Sequence, residues 1–98
     1  MDKVFRALAD PTRRKILELL REREHGAGEL ADQFPLAKPT LSGHFAVLRE
    51  AGLIVAEKNG TSITYRLNIS VLEDALLGFA NRFAIGTKRH SKLEPTDV

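Results

Sequence analysis

Apolar positions recur with a helical period through the first half of the chain and then switch to a period of two. In residues 3–9, Val4, Phe5 and Leu8 share one face at helical spacing. This predicts a short first helix, closed by Asp10-Pro11. Asp10 reads as the cap of a second helix with Pro11 at its first position, because proline lacks the amide that a first-turn residue would leave unpaired. That helix is expected from Pro11 to about Arg23, burying Ile16, Leu17, Leu19 and Leu20, with Arg13, Arg14 and Lys15 near its start. His25-Gly26-Ala27-Gly28 reads as a turn. A short helix over about 28–34 follows, burying Leu30, Ala31 and Phe34, and Pro35-Leu36-Ala37 makes a tight connection. A longer helix is expected from about Pro39 to Ala51, with Leu41, Phe45 and Leu48 spaced i, i+4, i+7 and Gly52 as its stop.

Beyond Gly52 the segments Leu53–Glu57 and Ser62–Leu67 read as strands. Lys58-Asn59-Gly60-Thr61 between them carries the Asn-Gly signal of a hairpin. A last helix is expected from about Val71 to Ala84, opened by a Ser70–Glu73 capping box. Its apolar face is wide, and Leu72, Leu76, Phe79 and Phe83 fall at i, i+4, i+7 and i+11. The segment after Gly86 is polar and aperiodic. The expected organisation is one domain over 1–86 and a flexible tail over 87–98.

The fold class is therefore mainly α with a β-hairpin, in the order α-α-α-α-β-β-α. A short helix, a tight turn and a longer helix make a helix-turn-helix, and a hairpin directly after it is a wing. The second helix of such a pair fits the DNA major groove, where its N-terminal residues reach base edges. On that helix Lys38, Pro39, Thr40, Ser42, Gly43 and His44 are assigned to the face opposite the apolar stripe. Lys38 serves base or phosphate, Thr40 and Ser42 are short donor-acceptors, and Gly43 permits close approach. Wing contacts with the backbone or minor groove are assigned to Lys58, Asn59, Gly60, Thr61 and Ser62.

Composition narrows the field without deciding it. The chain has 98 residues, a formal net charge of +2 and no cysteine. The lack of cysteine excludes a disulfide scaffold, a thiolate metal site and a cysteine redox switch together. Residues 1–24 hold seven basic and five acidic side chains, so the basic excess is small. No apolar run approaches the ~20 residues of a membrane span, and no signal peptide is visible, which fits a cytoplasmic protein. No phosphate loop, nucleophile elbow or paired carboxylate is present, and Ser42 and His44, two apart on a helix, do not form a dyad. An enzyme and a bound cofactor are not expected. His25, His44 and His90 sit on three separate elements without metal-ligand spacing, so no metal site is expected either.

Two blocks carry a family resemblance. Ala9-Asp10-Pro11-Thr12-Arg13-Arg14-Lys15-Ile16-Leu17 resembles the ADPTRRxIL signature of the ArsR family of bacterial repressors. Lys38-Pro39-Thr40-Leu41-Ser42-Gly43-His44-Phe45, continued by Val47-Leu48-Arg49 and Ala51-Gly52-Leu53-Ile54, resembles that family's recognition-helix motif. The resemblance spans about residues 3–83 and is nearest to the SdpR-like autorepressors, which lack metal-binding cysteines. It implies a winged-helix dimer built from the first and last helices, negative regulation of transcription and a palindromic double-stranded operator. Val4, Phe5 and Leu8 with Leu72, Leu76, Phe79 and Phe83 are the expected interface. Metal-sensing members carry Cys-x-Cys in the short helix, where this chain has Glu29-Leu30-Ala31-Asp32-Gln33. Release from DNA is then left to a sequestering protein partner, to expression level or to a small molecule. Ala37 stands where many members have a capping serine, and Gly43 where many have another histidine. The competing expectation is a winged-helix adaptor that docks a protein through the same surfaces.

Overall fold

A computed structural model describes residues 2–86. The elements are α1 (Asp2–Leu8), α2 (Pro11–Glu22), β1 (His25–Gly26), α3 (Ala27–Ala31), α4 (Lys38–Glu50), β2 (Ile54–Asn59), β3 (Ser62–Leu67) and α5 (Ile69–Arg82). The expected tail, 87–98, and His90 within it lie outside the described residues.

The junction of α1 and α2 is built from charge and hydrogen bonding. Asp10 caps α2, its Oδ2 accepting from the Arg13 amide at 3.1 Å, and Pro11 opens the helix. The last carbonyls of α1 have no intrahelical donor. Two arginines of α2 supply one: Arg13 donates to the carbonyls of Arg6 and Ala7, and Arg14 to that of Leu8 at 2.7 Å.

The core lies where the inner faces of the helices meet the sheet. Ala7, Ile16, Leu30, Leu48 and Leu53 are completely enclosed, and Leu17, Leu20, Leu41, Phe45, Ile54, Tyr65 and Ala75 close around them. Val4 belongs to this core. It is turned inward and only 5% exposed, whereas Phe5 and Leu8 of α1 stay partly exposed.

Helix α4 ends as its sequence suggests. Gly52 takes φ +76°, its amide reaches the Arg49 carbonyl and the Leu53 amide reaches Leu48. This is the Schellman arrangement, with Leu48 and Leu53 both buried beneath it.

Three local expectations change. His25-Gly26 is not a free turn but a short strand, pairing antiparallel with Tyr65 and Thr64 to make a sheet of order β1-β3-β2. A two-residue strand has no periodicity to reveal it; β3 supplies its hydrogen bonds. The hairpin register places Asn59 opposite Ser62, so Gly60-Thr61 form the loop. Of these only Gly60 has positive φ, +62°, which fits a Gly-first turn rather than an Asn-Gly one. Finally, α5 starts two residues early, at Ile69. Its cap is Asn68, with no side-chain cap bond, and Ser70 lies inside the helix, so the Ser70–Glu73 capping box does not form. The Asn68 amide is held by the Leu53 carbonyl at 2.8 Å, which fixes the entry into α5 from outside the helix.

Candidate nucleic-acid interface

Helices α3 and α4, joined through 32–37, form the helix-turn-helix, and β2 and β3 form the wing beside it. The α3 end is anchored by Glu29. Its carboxylate pairs with Arg23 at 2.6 Å and accepts from the Gly26 amide at 3.0 Å, tying the end of α2 to the start of α3. The Arg23 hydrogen bond, then the Gly26 amide and the charges of Arg23 and His25, hold the Glu29 carboxyl down at about 2 against opposing desolvation. His25 is buried beside it, its Nε2 3.1 Å from the Leu19 carbonyl, so that nitrogen carries the proton and donates.

Leu41, Phe45 and Leu48 turn the inner face of α4 into the core, and Phe45 lies against Tyr65 of β3 with ring centroids 4.7 Å apart. That contact joins α4 to the wing. Lys38, Pro39, Thr40, Ser42 and Gly43 are exposed on α4, as are Lys58, Asn59, Gly60, Thr61 and Ser62 at the wing tip. The cap of α4 is Ala37, which makes no side-chain cap bond, so the first-turn amides are left for water or an anion. A Cβ built on Gly43 meets nothing within 4 Å, so nothing in the described residues requires a glycine there.

His44 departs from the expected reading face. It stands three residues after Leu41 and four before Leu48, so it flanks the buried stripe. Its side chain is only 17% exposed and faces the α1–α2 junction, with Nδ1 3.1 Å from an Arg13 terminal nitrogen and 3.9 Å from Asp10 Oδ2. Desolvation pushes the Asp10 carboxyl up, but the amides of Arg13 and Thr12 and the Arg13 charge bring it below its ordinary value. Among the described residues no group of three or more histidine, cysteine, aspartate or glutamate side chains is placed to hold a metal ion.

A model of the bacterial regulatory proteins of the arsR family matches residues 10–55, which covers α2, the helix-turn-helix and the start of β2. Over 85 residues the chain is 42% identical to the transcriptional repressor SdpR of Bacillus subtilis (strain 168), spanning 84% of this chain and 94% of that protein. The chain belongs to the ArsR family. It is accordingly a DNA-binding transcriptional regulator of repressor type and not an enzyme. The regulator is also 47% identical over 64 residues to KmtR of Mycobacterium tuberculosis (strain ATCC 25618 / H37Rv), covering 65% of this chain but only about half, 49%, of that protein. An ArsR-like transcriptional regulator from Rhodococcus sp. RHA1 has the same fold, with a TM-score of 0.78 at 28% identity over 95% of this chain and 85% of that one. None of the described helices is long and apolar enough to cross a membrane.

Arg13 and Asp10 were not among the residues assigned a role in the site from sequence. A signal for Arg13 was present, because two arginines in the first turns of α2 oppose the helix dipole and so imply acceptors elsewhere.

Proposed function

We propose that this ArsR-family regulator represses transcription as a metal-independent homodimer, joined through α1 and α5 and bound to a palindromic operator. One observation carries the dimer: α5 buries only Ala75 fully, while Leu76, Phe79 and Phe83 stay 46%, 42% and 59% exposed. The Phe79 ring lies between those of Phe83 and Phe5, tilted to both, with centroids 5.0 and 5.2 Å away, so α1 and α5 present one continuous apolar surface. Leu8 and Leu72, both half-buried, border it. Fully burying such a side chain stabilises by ~1.5–3 kcal/mol, so covering the exposed half of each adds about 1 kcal/mol, which a two-fold partner supplies.

In this reading Lys38, Pro39, Thr40, Ser42 and Gly43 meet the major groove, and Lys58 through Ser62 follow the backbone or minor groove. Two-fold symmetry sets the two α4 helices on successive major grooves, about 34 Å apart. Metal independence is supported by the lack of cysteine and by Ala31 and Gln33 on and beside α3, where metal-sensing relatives place thiolates. A gel shift on DNA upstream of the protein's own gene tests the whole reading. Saturable binding of a dimer, tighter at lower salt and unchanged by chelator, is expected. Binding by a monomer, or none at low salt, refutes it.

A further inference from the structure

We propose that the Arg13–His44 hydrogen bond is the joint through which α1 fixes the recognition helix, making Arg13 and His44 positioning residues for operator binding rather than groups that touch DNA. This inference rests on the dimer reading above, in which α1 belongs to the interface.

The guanidinium of Arg13 makes three bonds into two different elements. Its Nε donates to the Ala7 carbonyl at 2.8 Å, one terminal nitrogen to the Arg6 carbonyl at 3.0 Å, and the other lies 3.1 Å from Nδ1 of His44. Arginine carries donors only, so Nδ1 of His44 is the acceptor and the ring proton sits on Nε2. The guanidinium is a rigid plane with fixed donor directions. A shift of α1 relative to α4 therefore misaligns one set of bonds or the other. Asp10 fixes the root of this side chain by holding the Arg13 amide.

Helix α4 needs such a tether at its reading end. Its cap residue has no side-chain bond, and Lys38, Pro39, Thr40, Ser42 and Gly43 are all exposed, so only Leu41 and Phe45 hold that half to the core. His44 adds a directional bond beside those two apolar contacts. Rotation of α1 on dimerisation is passed to the reading end of α4 through this side chain, beside the direct packing of α1 on α4.

A double-mutant cycle on operator affinity tests this, with sedimentation reporting the dimer. Arg13→Ala and His44→Ala should each weaken binding to the upstream duplex by about tenfold while the protein stays dimeric, and the double variant should be no weaker than either alone. His44→Asn, whose Oδ1 stands near the position of Nδ1, should recover most of the loss. Arg13→Lys should not, since an ammonium is a point donor without the spread, fixed donor directions that reach acceptors on α1 and α4 together. Losses that multiply in the double variant would mean two independent DNA contacts and overturn the proposal. If Arg13→Ala does not fold, the histidine pair decides: His44→Asn binding no better than His44→Ala refutes the joint. A wild type that is monomeric on its operator sinks the dimer reading as well. A dimeric, operator-binding wild type with multiplicative variants sinks the joint alone.

Discussion

Gly43 shows how a single residue separates stability from function. A glycine inside a helix costs about 1 kcal/mol relative to alanine, and nothing in the described residues fills the space a Cβ would take. Gly43→Ala is expected to raise unfolding stability by up to about 1 kcal/mol in urea titrations and, in the same protein, to weaken operator binding in gel shifts. Higher stability with unchanged affinity would remove Gly43 from the interface. Glu29 makes a different kind of statement. Its carboxyl is depressed from 4.5 to about 2 in the folded chain, so its contribution is complete above the ordinary glutamate range and is lost as pH falls through that window. Glu29→Gln should therefore be less stable than wild type at neutral pH, and the gap should close as the pH falls from about 4.5 toward 2. A gap that does not change with pH would show that the Arg23 pairing does not set it.

Among the elements, those with several turns or a strong stop were legible in the sequence and those fixed by a partner strand or an external hydrogen bond were not. Helices α2 and α4 follow their apolar spacing, with Asp10-Pro11 and Gly52 at their ends. The two-residue β1 could not be read, because its existence depends on pairing with Tyr65 and Thr64 of β3. The start of α5 was misread because Ser70-x-x-Glu73 is a good local cap, while the Leu53 carbonyl acting on Asn68 overrides it. At the candidate site what was legible is exposure, that of Lys38, Pro39, Thr40, Ser42 and Gly43 and of the wing tip. The place of His44 was not, since a single residue, about 100° around the helix, separates a reading face from a flank of the core. The wing is separately testable. Lys58 is exposed beside the turn, and if it meets a phosphate, Lys58→Ala should lower affinity for all duplexes alike and reduce the slope of log affinity against log salt by about 1. An unchanged slope would take Lys58 off the backbone. At the far end of α5, Ala84 takes φ +55° in a second Schellman closure, where its amide reaches Asn81 and the Ile85 amide reaches Ala80. Alanine is strained there by roughly 1 kcal/mol, so Ala84→Gly should raise the unfolding midpoint; a lower midpoint would show that the alanine methyl is worth more than the strain.

For the whole molecule the question is what covers Leu76, Phe79 and Phe83. Phe79→Glu should give a folded monomer that no longer shifts operator DNA, seen together by sedimentation and gel shift, because a carboxylate in a closed apolar interface is left unpaired. A dimeric Phe79→Glu variant would move the interface elsewhere. The tilted ring pair between α4 and β3 has an optical consequence. Tyr65 is the chain's one tyrosine and there is no tryptophan, and its ring lies buried against Phe45, where recognition helix and wing meet. Excited at wavelengths beyond phenylalanine absorption, intrinsic ultraviolet emission therefore comes from that contact alone, without any label. Melting followed by tyrosine emission reads the wing–helix junction, while circular dichroism reads the helices. Coincidence of the two curves would show that reading head and scaffold unfold as one unit.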